Sequence, residues 1–309
     1  MSHDTRLKPD LRHVLHGVIP PIALPFDAQG ALVRHALRPQ LDLIVKAGAN
    51  GVVAGGSTGE GHTLSDAEFL DAMNDAYEAT DGRIPFLAGL IVNSTIQAIR
   101  RTRALEGMKL TALQVTPVHY LFKPDDKATI EHFRTIWEET GVPIIIYNVI
   151  PWNYLSVDLM LRIMDEVPGV IGMKQSSGDL KSLSDLLLNH KAPNVVLSGI
   201  DALLYPGFAL GMHGAISALT SAVPGPVVKL QGMVREGRHD EARALHFHLN
   251  RLWNTLPHEI LPGCVKYIQH LQGLPLYHPR APMVPPDEGL KARIAEVLKP
   301  VLAASKSAG

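Results

Sequence analysis

The sequence contains a single cysteine, Cys264, among 309 residues. One thiol excludes an intramolecular disulfide framework and fits a reducing compartment, so the expected location is the cytoplasm. Neither sign of charge dominates: 29 Lys and Arg stand against 30 Asp and Glu, a formal net charge of −1. Without a basic excess there is no electrostatic footprint for nucleic acid or an anionic membrane, and neither partner is expected. Long hydrophobic runs are missing too; stretches such as Pro143–Tyr147 are far too short to span a bilayer. The polar lead Met1–Gly17, with His3, Arg6, Lys8, Arg12, His13 and His16, has neither the apolar stretch nor the cleavage pattern of a signal peptide.

What is present is an alternation. Short apolar runs at Gly17–Leu24, Gly51–Ala54, Phe86–Leu90, Ala112–Val115, Pro143–Tyr147, Val170–Lys174, Asn194–Leu197 and Gly214–Ser217 read as strands buried on both faces. Between them lie helical patterns over Ala31–Lys46, Asp66–Ala79, Ser94–Glu106, Asp125–Glu139, Val157–Asp165 and Leu180–His190, several opened by a capping residue such as Ser65 or Ser156. Strict βα alternation implies parallel strands, and eight of them close a barrel. The fold class expected is therefore α/β, a (β/α)8 TIM barrel with a C-terminal helical extension; a doubly wound open sheet is the rival. From Val227 the pattern is helical only, over Val227–Glu236, Asp240–Trp253, Glu259–Leu271 and Glu288–Ala304, with a Pro-rich break at Leu274–Pro286. Residues 1–225 are read as barrel core with its polar lead, and 226–309 as the last barrel helix and extension, all one structural unit.

Barrel chemistry sits at the C-terminal ends of the strands. Polar residues gather there: Gly55–Gly61 after the second strand, Thr116, His119 and Tyr120 after the fourth, Tyr147-Asn148, Lys174–Asp179, Ser198–Asp201 and Ser217. Lys174 ends an otherwise apolar run, so its stem should rise from the barrel interior. Desolvation there disfavours the ammonium, and a neutral amine can attack a ketone. The same lysine could instead snorkel to solvent or pair with a carboxylate. The glycines of Gly55–Gly61 would let backbone amides approach an anion, with Ser57 and Thr58 adding hydroxyls, or would only form a tight turn. Tyr147 offers a phenol for proton transfer, or an aromatic lid on the core.

Together the segments Gly56-Ser57-Thr58-Gly59-Glu60, Tyr147-Asn148 with Pro151, Gly172-x-Lys174-x-Ser176-Ser177-Gly178-Asp179, Gly199-x-Asp201, Gly211-x-x-Gly214-x-Ile216-Ser217 and Pro282-Met283-x-Pro285-Pro286 resemble the dihydrodipicolinate synthase/N-acetylneuraminate lyase family of class I aldolases. They follow family order from about residue 17 to residue 299. The resemblance implies a lyase whose catalytic residues are Lys174 (Schiff base), Tyr147 (proton shuttle) and Thr58. It implies that Gly56, Ser57 and Thr58 hold the carboxylate of pyruvate or another small 2-oxo acid. Ile216 would lend a carbonyl near the lysine. It further implies no external cofactor and no metal, because the lysine Schiff base is the electron sink, and a homotetramer or dimer.

Two departures narrow this expectation. The arginine that grips the second carboxylate in the synthase branch is missing: the chain reads Tyr147-Asn148-Val149-Ile150-Pro151-Trp152-Asn153-Tyr154, which argues against the lysine-pathway synthase. Where the family often carries a tyrosine pair, Val118-His119-Tyr120 stands. Trp152, Asn153 and Tyr120 are accordingly expected to line the second half of the substrate, a less charged and aromatic or otherwise bulky aldehyde, with Trp152 and Tyr154 as its apolar wall. The same lysine would also serve a 2-oxo acid dehydratase or hydratase-aldolase. From other classes, Gly55-x-Ser57-x-Gly59 matches a hydrolase nucleophile elbow but lacks a preceding oxyanion segment, and a regulator that only binds an oxo acid would keep the fold. The 15 histidines hold no metal spacing: His246 and His248 do not share a helix face, and His258-Glu259 is not followed by a second ligand.

Overall fold

Proline ends the first strand early. In β1 only Gly17–Val18 pairs as a ladder, short of the expected Gly17–Leu24, because Pro20 and Pro21 have no N–H to donate. Seven more strands follow: β2 (Val52–Ala54), β3 (Phe86–Leu90), β4 (Ala112–Val115), β5 (Ile144–Asn148), β6 (Val170–Gln175), β7 (Val195–Ser198) and β8 (Gly214–Ala215). This computed structural model describes residues 8–118 and 120–306. Its strands form one parallel sheet in the order β1-β8-β7-β6-β5-β4-β3-β2. Closure comes just past the prolines, where Ile22 N donates to Val53 O (2.8 Å) and Val53 N to Pro20 O (3.1 Å). The architecture is a TIM barrel.

The crossover helices are α1 (Arg38–Lys46), α2 (Asp66–Thr80), α3 (Thr95–Arg103), α4 (Asp126–Thr140), α5 (Val157–Glu166), α6 (Leu180–Asn189) and the short α7 (Leu204–Ala209). Ser65 opens α2 with a full capping box to Glu68, and Ser94, Asp125 and Ser156 each accept an N3 amide. α1 starts well after the expected Ala31. His35 takes a left-handed φ of 57°, and Asp75 holds both its amide and the Arg34 guanidinium, so the chain turns before Pro39 can sit in a first helical turn. After β8 come α8 (Ala218–Ala222), α9 (Pro224–Arg235), α10 (His239–Thr255), α11 (Leu261–His270) and α12 (Glu288–Lys306). α9 begins at Pro224, ahead of the 225/226 division, again because proline suits a first turn.

Ile19, Val53, Leu87, Ile145, Ile171 and Leu197 fill the barrel, each at most 1% exposed. Burial of this kind stabilises by about 1.5–3 kcal/mol per side chain. Val18 and Ala215 on the outer face share a cluster with Val227, Leu249, Cys264 and Ile294, so the C-terminal helices pack directly on β1 and β8. Lys8 closes the opposite end of the barrel, donating to Val170 O and Asn194 Oδ1 (both 2.8 Å) and to Met164 O. Among the described residues no helix is long and apolar enough to cross a membrane.

A bulge in β6 positions the site. Ile144 pairs with Val170, but the next residue, Ile145, pairs with Gly172, so Ile171 is extra. Val170 packs outward; unbroken alternation from it would turn Lys174 outward as well. The inserted residue reverses the parity, and Lys174 pairs with inward-facing Tyr147 and Leu197. Gly172 permits the reversal: a Cβ there would lie 2.4 Å from Val195 O.

Candidate active site

A cavity of about 360 Å³ opens at the C-terminal ends of the strands, walled by Ser57 and Thr58 after β2, Tyr147 of β5, Lys174 of β6, Gly199 after β7 and Ile216 after β8. Lys174 is 5% exposed, and its Nζ lies 3.9 Å from the centroid of the Tyr147 ring. Among the described residues it forms no hydrogen bond or ion pair. Burial lowers its pKa from 10.5 to about 7, partly opposed by the Asp201 carboxylate. The amine form is thus far more accessible near neutral pH than for an exposed lysine, and the side chain borders an open space.

Asp201 also lines the cavity and is 2% exposed. Its carboxylate accepts the α8 amides of Leu219 (2.6 Å) and Ala218 (3.2 Å). Burial raises its pKa to about 6; those amides, the Ser217 hydroxyl and Lys174 pull the other way. Tyr147 is buried, which pushes its phenol above the ordinary value, and its hydroxyl lies 3.1 Å from Ser57 Oγ. The Lys174 stem needs Gly199 beside it: a Cβ at that position would sit 2.6 Å from Lys174 Cε and 2.3 Å from Ser176 Oγ.

The Gly-rich loop spends much of its own backbone. Gly59 N and Gly61 N donate to Gly56 O, and Glu60 N to Ser57 O, so those amides are not free for a ligand; Ser57 and Thr58, at the start of the turn, face the cavity. Glu60, with φ 58° and no exposure, reaches across the structure. It accepts from Lys266 Nζ of α11 (2.5 Å) and from Arg280 N (2.7 Å). Arg280 continues to Glu68, and both cations lie over the Phe26 ring. This buried network fastens the loop carrying Ser57 and Thr58 to the C-terminal helices.

Similarity to known proteins agrees with this geometry. The profile of the dihydrodipicolinate synthetase family matches residues 14–301. The chain belongs to that family. A 4-hydroxy-tetrahydrodipicolinate synthase of Persephonella marina is 36% identical over 263 residues, covering 84% of this chain and 88% of that protein. The 4-hydroxy-tetrahydrodipicolinate synthase from Methylacidiphilum fumariolicum SolV superposes with a TM-score of 0.86 at 30% identity, over 94% of this chain and 98% of that one. YagE, a prophage protein of E. coli K12 solved in complex with pyruvate, gives a TM-score of 0.87 at 25% identity, over 94% and 99%. Family membership makes this chain an enzyme of the lyase/aldolase type.

Within this family barrel the residues singled out in the sequence divide into two groups. Lys174, Tyr147, Ser57, Thr58 and Ile216 line one cavity, with Gly56 buried at the start of the Ser57–Gly59 turn. Trp152, Asn153 and Tyr120 do not line it. Trp152 (68% exposed) and Tyr120 (74% exposed) border a separate outer groove with Leu121, Phe122 and Lys123. Asn153 is buried, but its amide donates to Val118 O (2.6 Å). Tyr154 donates to Ser176 O (3.3 Å) and holds the β6 loop instead of walling a substrate. The cause is local: Pro151–Asn153 forms a single tight turn that carries Trp152 outward. His119 lies outside the described residues.

Ser57 meets a phenol, not an imidazole, which leaves the hydrolase reading without a base. His246 binds Asn250 on its own helix (3.2 Å), away from the cavity. Sequence reasoning missed the Glu60–Lys266 pair and the outer wall of the cavity, formed by Trp253, His258, Leu261, Pro262 and Met283. A lysine inside the apolar run Cys264-Val265-Lys266-Tyr267-Ile268 was the one visible signal of the first.

Proposed function

We propose that the chain is a Schiff-base-forming lyase acting on pyruvate or a similar 2-oxo acid through Lys174. The observation that carries this reading is a buried lysine with a depressed pKa, no bonding partner, and a cavity in front of its nitrogen. The neutral amine adds to the ketone, and loss of water from the carbinolamine leaves an iminium; Tyr147, paired with Ser57, carries the protons between nitrogen, oxygen and C3. Removal of a C3 proton gives the enamine. Its attack on an aldehyde forms the new C–C bond, and hydrolysis returns Lys174. The reverse direction cleaves that bond, and loss of a hydroxyl along the same electron path would make a dehydratase. Ser57 and Thr58 orient the carboxylate of the oxo acid.

Two of the named relatives are 4-hydroxy-tetrahydrodipicolinate synthases, yet the feature arguing against that activity here is physical. Lys174 is the sole Lys or Arg among the described residues lining the cavity, so a second carboxylate finds no guanidinium. We also propose that the enzyme works in the cytoplasm without cofactor or metal, and that the exposed group Tyr120, Leu121, Phe122 and Trp152 docks a second copy in a homodimer or tetramer. Sedimentation velocity reads the assembly; a monomer at micromolar concentration rejects it.

Borohydride reduction in the presence of pyruvate tests the chemistry. The expected result is a stable pyruvyl mass increase on Lys174 that vanishes in Lys174→Ala. An unmodified parent enzyme overturns the lyase reading and favours a protein that only binds the oxo acid.

A further inference from the structure

The cavity has two ends of different chemistry. At the inner end Lys174, Tyr147, Asp201, Ile216 and Ser217 are all at most 5% exposed. The Ser176 hydroxyl there is buried without a hydrogen-bond partner among the described residues, and the Ser217 hydroxyl turns to Asp201. The outer end is supplied by the C-terminal helices: Trp253 near the end of α10, Leu261 and Pro262 opening α11, and Met283 of the Pro-rich segment, of which Trp253, Leu261 and Met283 are half-buried. Two imidazoles, His62 and His258, stand at its exposed edge.

A 2-oxo acid joined to Lys174 has its carboxylate and ketone at the inner end, so the rest of the molecule must point to this mouth. A charged tail would meet an indole, a thioether and aliphatic carbon, and would lose hydration against that apolar wall. No Lys or Arg other than Lys174 is among the described lining residues, and only two imidazoles stand at the exposed edge. A polyhydroxylated chain would leave hydroxyls unbonded against Leu261, Pro262 and Met283 for the same reason. A flat apolar group instead stacks on Trp253 and packs against Met283.

We infer that the mouth formed by Trp253, Leu261, Pro262 and Met283 selects an uncharged, aromatic or otherwise flat apolar aldehyde as the second half of the substrate. The inference rests on the lyase reading of Lys174 and adds its substrate class. It also moves the selecting wall from Trp152 and Tyr154 to the helical extension, more than 90 residues further along the chain.

Steady-state aldol kinetics with pyruvate and three aldehydes provide the test: benzaldehyde, aspartate semialdehyde and glyceraldehyde. Benzaldehyde is expected to give the highest kcat/KM. Trp253→Ala should raise its KM by about 10-fold or more with little change in kcat, Trp253→Phe should recover most of the loss, and Met283→Ala should act in the same direction. Pyruvate trapping on Lys174 should remain intact in each variant. A preference for aspartate semialdehyde or glyceraldehyde, or a benzaldehyde KM unmoved by both Trp253→Ala and Met283→Ala, overturns the inference while trapping persists. Absence of trapping in the parent instead removes the lyase reading beneath it.

Discussion

Lys174 and Lys266 start from the same situation and end differently. Both are buried, at 5% and 2% exposure, and both ammonium groups lie over an aromatic face, Tyr147 at 3.9 Å and Phe26 at 4.6 Å. Burial depresses both pKa values. Lys266, however, is held by Glu60 at 2.5 Å and by His278 O at 2.7 Å. Lys174 has no such partner and looks into a cavity. A buried lysine becomes a nucleophile when its charge is left uncompensated and its nitrogen accessible; compensated, the same side chain is a strut.

Stability measurements separate the two most widely. Lys266→Met removes the ammonium that pairs with buried Glu60 and is expected to cost about 3–5 kcal/mol. Lys174→Met removes a desolvated charge and is expected to stabilise by about 2 kcal/mol at pH 6. The sign follows from a folded pKa near 7 against 10.5 in the unfolded chain: the penalty is complete below pH 7 and fades as pH rises toward 10.5. Urea titrations of both variants at pH 6 check this, and equal effects would erase the distinction.

Gly199→Ala sharpens the comparison on the side of accessibility. Its new methyl overlaps Lys174 Cε and Ser176 Oγ, so the stem must shift; imine formation should slow by about 10–100-fold with smaller change in stability. Stopped-flow measurement of imine formation with pyruvate reads it. The smallest effect concerns Asp201, the carboxylate that partly compensates Lys174. Imine formation should rise with pH through about 7. Asp201→Asn keeps an acceptor for the α8 amides but removes the charge that favours the ammonium, so the rise should move to lower pH, by less than about one unit. A shift to higher pH would contradict the electrostatic account.

Much of the barrel was legible because strands buried on both faces and helices buried on one leave different periods. β3 and β4 fall where the apolar runs do, and capping residues at Ser65 and Ser156 mark true helix starts. Boundaries failed where backbone chemistry outweighed hydrophobicity, as at Pro20-Pro21 in the first strand and His35 before α1. Lys174, Tyr147, Ser57 and Thr58 were findable as polar residues at strand ends, since barrel topology alone brings such ends together. Trp152 and Tyr120 share that sequence position but were carried outward by a local turn and an exposed loop, features no periodicity encodes.

Sequence alone determined the parallel barrel, the rim on which the chemistry gathers, and the lysine at its mouth, because these follow from residue types repeating at short range. Only the tertiary structure revealed the one extra residue in β6 by which Lys174 comes to face inward as expected. It alone joined Glu60 to Lys266 across 206 positions and brought Trp253 and Met283 over the cavity. Such contacts depend on where the closed barrel places segments distant in the chain, and local patterns carry no record of that distance.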